Sequence, residues 1–147
     1  MSRSIKKGPF AAPELLKRVD EMNKAGNKVT IIMGARNESL FLMKDEMTAL
    51  ADNIIFMTDD GSYGRKGLVT EPLKELCEDT KGKPDMVLAI GPPIMMKFCA
   101  LTTKPYGVKT VVSLNSIMVD GTGMCGGCRV TIGGKTKFVC VDGPEFD

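Results

Sequence analysis

Asp120, Cys125, Cys128 and Cys140 lie within one stretch, DGTGMCGGCRVTIGGKTKFVC, of a 147-residue chain that has five cysteines and no histidine. Their spacing is D-x4-C-x2-C-x11-C. Thiolates grouped this closely are ligands for iron–sulfur clusters or for zinc. The plant-type [2Fe–2S] pattern is C-x4-C-x2-C with a later Cys, and it is met in full if Asp120 replaces the first thiolate. A carboxylate carries the same single negative charge, so the formal charge of such a cluster would not change. Two other readings of the same residues stand beside it. One is a structural Cys3Asp zinc. The other is three reduced cysteines, with Asp120 only opening an Asp-Gly turn.

The elements that must gather these ligands are local. RVTI and KTKFVC flank Gly133-Gly134, which predicts a hairpin with a two-residue turn. With Ile132 opposite Lys135, Cys128 falls opposite Val139 and Cys140 returns beside the CxxC. The glycines at 121, 123, 126 and 127 let backbone N–H groups approach bound sulfides, and such contacts help set a potential. Cys77 and Cys99 fall in helical segments away from this loop and are expected in the core.

The earlier part of the chain alternates. LLKRVDEM, between Pro13 and Lys24, predicts an amphipathic helix with Gly26 beyond its end. KVTIIMG (28–34), NIIFMT (53–58), MVLAIG (86–91) and KTVVSL (109–114) predict buried strands. Helices are expected within 39–52, 68–79 and 93–103, with DDGSYGRKG (59–67) a loop. Strand–helix–strand at this spacing predicts an α/β fold with a parallel sheet covered by helices. Ligands of such sheets sit beyond the carboxyl ends of the strands, which here read GARN, TDDGS, AIGPP and SLNS.

Composition narrows the function classes. Hydrophobic residues make up 43% and charged residues 26%, as in a globular domain of ordinary solubility. No apolar run reaches the roughly 18 residues of a membrane span. An odd cysteine count with three grouped together argues against a disulfide framework and for a reducing cytoplasm. Without histidine or a nucleophile–base pair, hydrolytic chemistry is not expected. Net charge is +2, but residues 1–28 carry seven Lys/Arg against three acids. Such a basic arm is either solvated surface or a nucleic-acid contact.

The run VVSLNSIMVDGTGMCGGCRVTIGGKTKFVCVDGPEFD resembles the small subunit of NADH-dependent ferredoxin–NADP oxidoreductase, also called sulfide dehydrogenase. The electron-transfer subunit of dihydroorotate dehydrogenase is a more distant relative. IIMGARNESLFLMKDEM, TDDGSYGRKGLVTEPLKEL and AIGPPIMMKF match the same family in order, so the similarity covers about residues 12–147. The resemblance implies a ferredoxin-reductase-like NAD-binding domain with helices on both sheet faces, followed by a C-terminal [2Fe–2S] loop and β-hairpin. It implies Asp120, Cys125, Cys128 and Cys140 as cluster ligands. It places Gly34, Ala35 and Arg36 near the adenosine part of NAD(H), Asp60, Gly61 and Ser62 after the next strand, and Gly91, Pro92 and Met95 near the nicotinamide. Each of these also has a plain structural reading, as a strand end, a surface charge or a core side chain. The partners implied are a larger flavin- and iron–sulfur-containing oxidoreductase subunit and ferredoxin.

The pattern also departs from the family. FAD is expected of it, but the flavin-binding barrel is absent from this chain. The domain's first strand and Gly-rich phosphate loop are replaced by MSRSIKKGPFA. That strand is the central one, so KVTIIMG and MVLAIG lose the neighbour between them, and two edges are left unpaired. Those strands then close up, another chain fills the gap, or the fold suffers. MSRSIKKGPF, continuing through LLKRVDEMNKAGNK, is similar to the start of bacterial small-subunit ribosomal protein nineteen, and this implies Arg3, Lys6 and Lys7 as phosphate contacts.

The expected organisation is thus a basic arm and helix (1–28), a truncated nucleotide-binding domain (29–118) and a cluster-binding loop and hairpin (119–147). The expected function is single-electron relay between flavin/NAD(H) chemistry and a protein partner, in an oxidoreductase subunit or fragment and not a complete enzyme alone. The alternative is an RNA-binding or ribosome-associated protein with a structural zinc.

Overall fold

The computed structural model describes residues 11–147, with the side chains of 11–16 and 18 left aside. The basic decapeptide, and with it Arg3, Lys6 and Lys7, lies outside the described residues. The chain divides into two compact units, Met1–Pro72 and Leu73–Asp147.

In the first unit, helix α1 (Ala11–Lys24) leads into strand β1 (Thr30–Ala35), helix α2 (Lys44–Leu50), β2 (Asn53–Thr58) and the two-residue β3 (Arg65–Lys66). These form one parallel sheet of order β1-β2-β3, with Ile32 level with Ile55 and Thr58 level with Lys66. Its buried side chains are Val19, Met47, Met57, Thr58 and Pro72. The helix expected over 39–52 is broken. A 3-10 turn covers Glu38–Leu40, and α2 starts only at Lys44 because Met43 takes a left-handed conformation (φ 55°). The break turns Phe41 toward Phe56 and Tyr63, with ring centroids 5.2 and 5.9 Å away.

Helix α3 (Thr70–Glu78) spans the division between the units. The second unit continues with β4 (Met86–Ile90), α4 (Pro93–Thr103) and β5 (Lys109–Ser113). Pro92 and Pro93 open α4 with the fixed φ a first helical turn requires. Leu73, Cys77, Ala89, Met96, Cys99, Thr103 and Val108 are buried here. β4 and β5 run parallel, and the two-residue β8 (Glu145–Phe146) adds antiparallel to β5. β6 (Arg129–Ile132) and β7 (Lys135–Phe138) make a separate hairpin, followed by a single helical turn, α5 (Val139–Asp142). The strands β1, β2, β4 and β5 thus stand where their apolar runs predicted.

Among the described residues β1 pairs with β2, and β4 with β5.

Candidate functional site

The hairpin register follows from its turn. Gly133 and Gly134 both have positive φ (56° and 75°), the conformation of a two-residue turn that matches strand twist. Ile132 therefore faces Lys135 and Arg129 faces Phe138. One step further, the Val139 N–H donates to the Cys128 carbonyl at 3.2 Å. The strand was expected to continue through Cys140, but it ends at Phe138. The Asp142 carboxylate accepts from the Phe138 N–H (2.8 Å) and from Lys137 Nζ (3.1 Å), which closes Val139–Asp142 into a helical turn. That turn swings Cys140 back over Cys128.

The four candidate ligands come together as two pairs. Cys128 and Cys140 have their sulfurs 3.2 Å apart, and the Cys140 N–H points at Cys128 Sγ from 3.5 Å. That N–H, together with the Cys140 thiol, pushes the Cys128 thiol below its ordinary pKa, whereas Cys140, sharing a proton with Cys128, is pushed up. In the second pair, Asp120 accepts from the Thr122 N–H at 2.9 Å and from the Cys125 thiol, and both hold its carboxyl below the usual range. The Gly127 N–H donates to Cys125 Sγ at 3.4 Å. Among the described residues no three of these groups yet form a single metal-binding set. Cys128 is buried, Cys140 half-buried and Cys125 exposed. The donor set fits an iron–sulfur group: three thiols and a carboxylate on a short glycine-rich loop, with backbone N–H groups already aimed at two of the sulfurs. Cys77 and Cys99 are buried, and burial pushes both thiols up.

At the carboxyl end of the first sheet, Ala35 and Arg36, expected near adenosine, and Asp60 and Ser62, expected after the next strand, lie on one hydrogen-bonded rim. The Asp59 and Asp60 N–H groups donate to the carbonyls of Ala35 and Arg36 (3.2 and 3.3 Å). Ser62 Oγ accepts from the Glu38 N–H, and the Ser62 N–H donates to Asp60 Oδ1, each at 2.9 Å. The Ser62 hydroxyl and N–H together hold the Asp60 carboxyl below its ordinary pKa. Arg36, Asp60, Gly61 and Ser62 are exposed along this rim. Gly34 has a packing role, since a Cβ there would overlap Val69 Cγ1. Gly91 (φ 153°) lies against Met95 in the same way, with Pro92 exposed as the α4 N-cap.

Sequence reasoning missed the residues that hold this rim. The fully buried Thr58 hydroxyl donates to the Tyr63 carbonyl (2.7 Å) and accepts from the Tyr63 N–H (3.3 Å), closing the 59–63 loop. Lys44 Nζ sits 3.4 Å from the Tyr63 ring centroid. Neither is visible in a local pattern.

Residues 12–100 match the family described as the oxidoreductase NAD-binding domain. The chain belongs to that family. Residues 115–147 match the iron–sulfur cluster binding domain of dihydroorotate dehydrogenase B. The chain thus carries, in order, an oxidoreductase NAD-binding domain and a segment similar to an iron–sulfur cluster binding domain. It is 51% identical over 125 residues to the dihydroorotate dehydrogenase B electron transfer subunit homolog of Thermotoga maritima, covering 85% of this chain and 43% of that one. The probable dihydroorotate dehydrogenase B electron transfer subunit of Methanocaldococcus jannaschii is 36% identical over 139 residues, covering 95% and 52%. A solved structure of NADH-dependent reduced ferredoxin-NADP oxidoreductase superposes with a TM-score of 0.78 at 48% identity, covering 90% of this chain and 47% of that one. The chain spans about half the length of the relatives it matches. No helix among the described residues is long and apolar enough to cross a membrane. The RNA-binding alternative gains no support from these matches.

Proposed function

We propose that this chain is the electron-transfer module of a ferredoxin–NAD(P) oxidoreductase, with Asp120, Cys125, Cys128 and Cys140 as ligands of a [2Fe–2S] cluster. The observation that carries the reading is the return of Cys140 to within 3.2 Å of Cys128, on the short loop and hairpin that also hold Asp120 and Cys125. When bound, such a cluster supplies one-electron chemistry.

The chain's own part is to hold and tune. Backbone N–H groups of Gly127 and Cys140 stabilise negative charge on Cys125 and Cys128. Asp120, ionised and already oriented by Thr122, offers a hard oxygen donor in place of a fourth thiolate. The rim of Ala35, Arg36, Asp60, Gly61 and Ser62, with Gly34 packed behind it, is the proposed adenosine end of an NAD(H) site, and Gly91, Pro92 and Met95 its nicotinamide end. Both lie beyond carboxyl ends of parallel strands, where α/β sheets bind ligands. The proposed partner is a larger flavin- and iron–sulfur-containing subunit, with ferredoxin as a further protein partner. The proposed location is the cytoplasm.

The test is anaerobic purification followed by iron, sulfide and zinc assays and a visible spectrum on one sample. Equal iron and sulfide, two of each per chain, with a charge-transfer spectrum lost on reduction, is the expected result. One zinc and no colour would make the site structural and overturn the relay.

A further inference from the structure

Cys128 and Cys140 hold their sulfurs 3.2 Å apart as free thiols. A disulfide bond is about 2.05 Å long, so a movement of roughly 1.2 Å joins them. The backbone on both sides is already fixed around that pair. Arg129 faces Phe138 at the end of the ladder, the Val139 N–H donates to the Cys128 carbonyl at 3.2 Å, and the Cys140 N–H donates to Cys128 Sγ at 3.5 Å. Closing the bond therefore keeps the hairpin register. The other three sulfurs are held differently. Cys125 Sγ accepts from the Gly127 N–H of its own loop at 3.4 Å. Cys77 is buried in α3, and Cys99 is buried in α4 with Met95 Sδ 3.6 Å away.

We propose that Cys128 and Cys140 are a reversible redox pair, which a small-molecule disulfide closes in the metal-free chain and the corresponding thiol reopens. Cys140 is half-buried and Cys128 buried, so Cys140 meets the oxidant first. Its sulfur bonds to one half of the small disulfide and releases the other half as a thiol. Cys128 Sγ then attacks Cys140 Sγ, forms the protein disulfide and expels the second small thiol. Two protein thiols are oxidised, one small disulfide is reduced, and the two protons leave on the two thiols released. The bond protects both sulfurs, because a disulfide is returned by thiols whereas sulfinic and sulfonic acids are not. It also withdraws two donors from the candidate ligand set, so metal enters only after reduction. That consequence, unlike the bond itself, rests on the ligand assignment proposed above.

The test uses the full chain, freed of metal by a chelator under reductant and then equilibrated in glutathione buffers of rising oxidised fraction. After acid quenching, the remaining thiols are alkylated in denaturant and the product is weighed by mass spectrometry. Two of the five cysteines should escape alkylation, and the tryptic peptides carrying Cys128 and Cys140 should be joined. Cys125→Ser should keep that pair, whereas Cys128→Ser and Cys140→Ser should each abolish it. The parent oxidised in denaturant should give mixed pairings, which ties the single folded pairing to the geometry even where a variant fails to fold. Five alkylated cysteines in the parent, a joined pair that survives Cys128→Ser, or the same mixture folded and denatured would each overturn the proposal. Zinc, used only as a probe of free thiols, should be taken up at least tenfold less by the oxidised chain and fully after reduction. Equal uptake by both forms would overturn the block on metal entry. Uptake by neither would overturn the ligand assignment, while the mass measurement alone decides the pair.

Discussion

Gly34 and Asp60 stand on the same rim and illustrate two different constraints on single residues. Gly34 is required by space, because Val69 occupies the direction a side chain would take. Gly34→Ala should destabilise the first unit by about 1–3 kcal/mol through overpacking, read by thermal denaturation. Val69→Ala in the same chain should recover most of that loss, which a role in ligand contact would not predict. Asp60 is required by charge. Its carboxyl is held below the ordinary value by the Ser62 hydroxyl and N–H, so its contribution is present above the unfolded pKa and lost as pH falls through the folded one. The Ser62 amide resonance should therefore titrate with a midpoint below that of an ordinary aspartate, and Asp60→Asn should abolish that transition. At the cluster, Asp120→Cys should retain iron and sulfide with a changed potential. Asp120→Ala should lower bound iron at least severalfold under the same loading, measured against protein.

The elements show which parts of the fold a sequence declares. β1, β2, β4 and β5 were legible because each centres on a short apolar stretch with β-branched residues. The hairpin was legible because Gly133-Gly134 fixes its register by counting, and with it the approach of Cys140 to Cys128. The helix over 39–52 was misplaced. SLFLM has helical spacing, but Met43 reverses the chain so that Phe41 can join Phe56 and Tyr63, and that aromatic contact is tertiary. The two-residue strands β3 and β8 have no length over which a period could show. The helical turn at VCVD was hidden by its β-branched residues and is set by Asp142 capping Phe138. The turn makes a prediction of its own. Gly134→Val puts a branched side chain at φ 75° and should cost about 1–2 kcal/mol in the hairpin. The same variant should bind less iron, because the register places the Val139–Asp142 turn that brings Cys140 over Cys128.

For the whole molecule, the parallel direction of β1 with β2 and of β4 with β5 was foreseeable. The candidate cluster loop depends on neither ladder. Its ligands span Asp120 to Cys140, its register is set by a local turn, and it belongs wholly to the second unit. Cluster content should therefore survive substitutions in β1 that lower the melting temperature of the first unit, with iron per chain measured alongside each melting curve.

The division between the two units falls between Pro72 and Leu73, inside helix α3. Proteases cut extended, mobile backbone at exposed loop tips, and a helix offers them neither. Lys74 and Lys81 are both exposed, but Lys74 lies in α3, whereas Lys81 lies in the turn after it. Limited trypsin treatment should therefore cleave after Lys81 well before Lys74. The fragments released first would then carry α3 intact on the amino-terminal piece, so enzymatic dissection would draw a boundary displaced from the one drawn by packing.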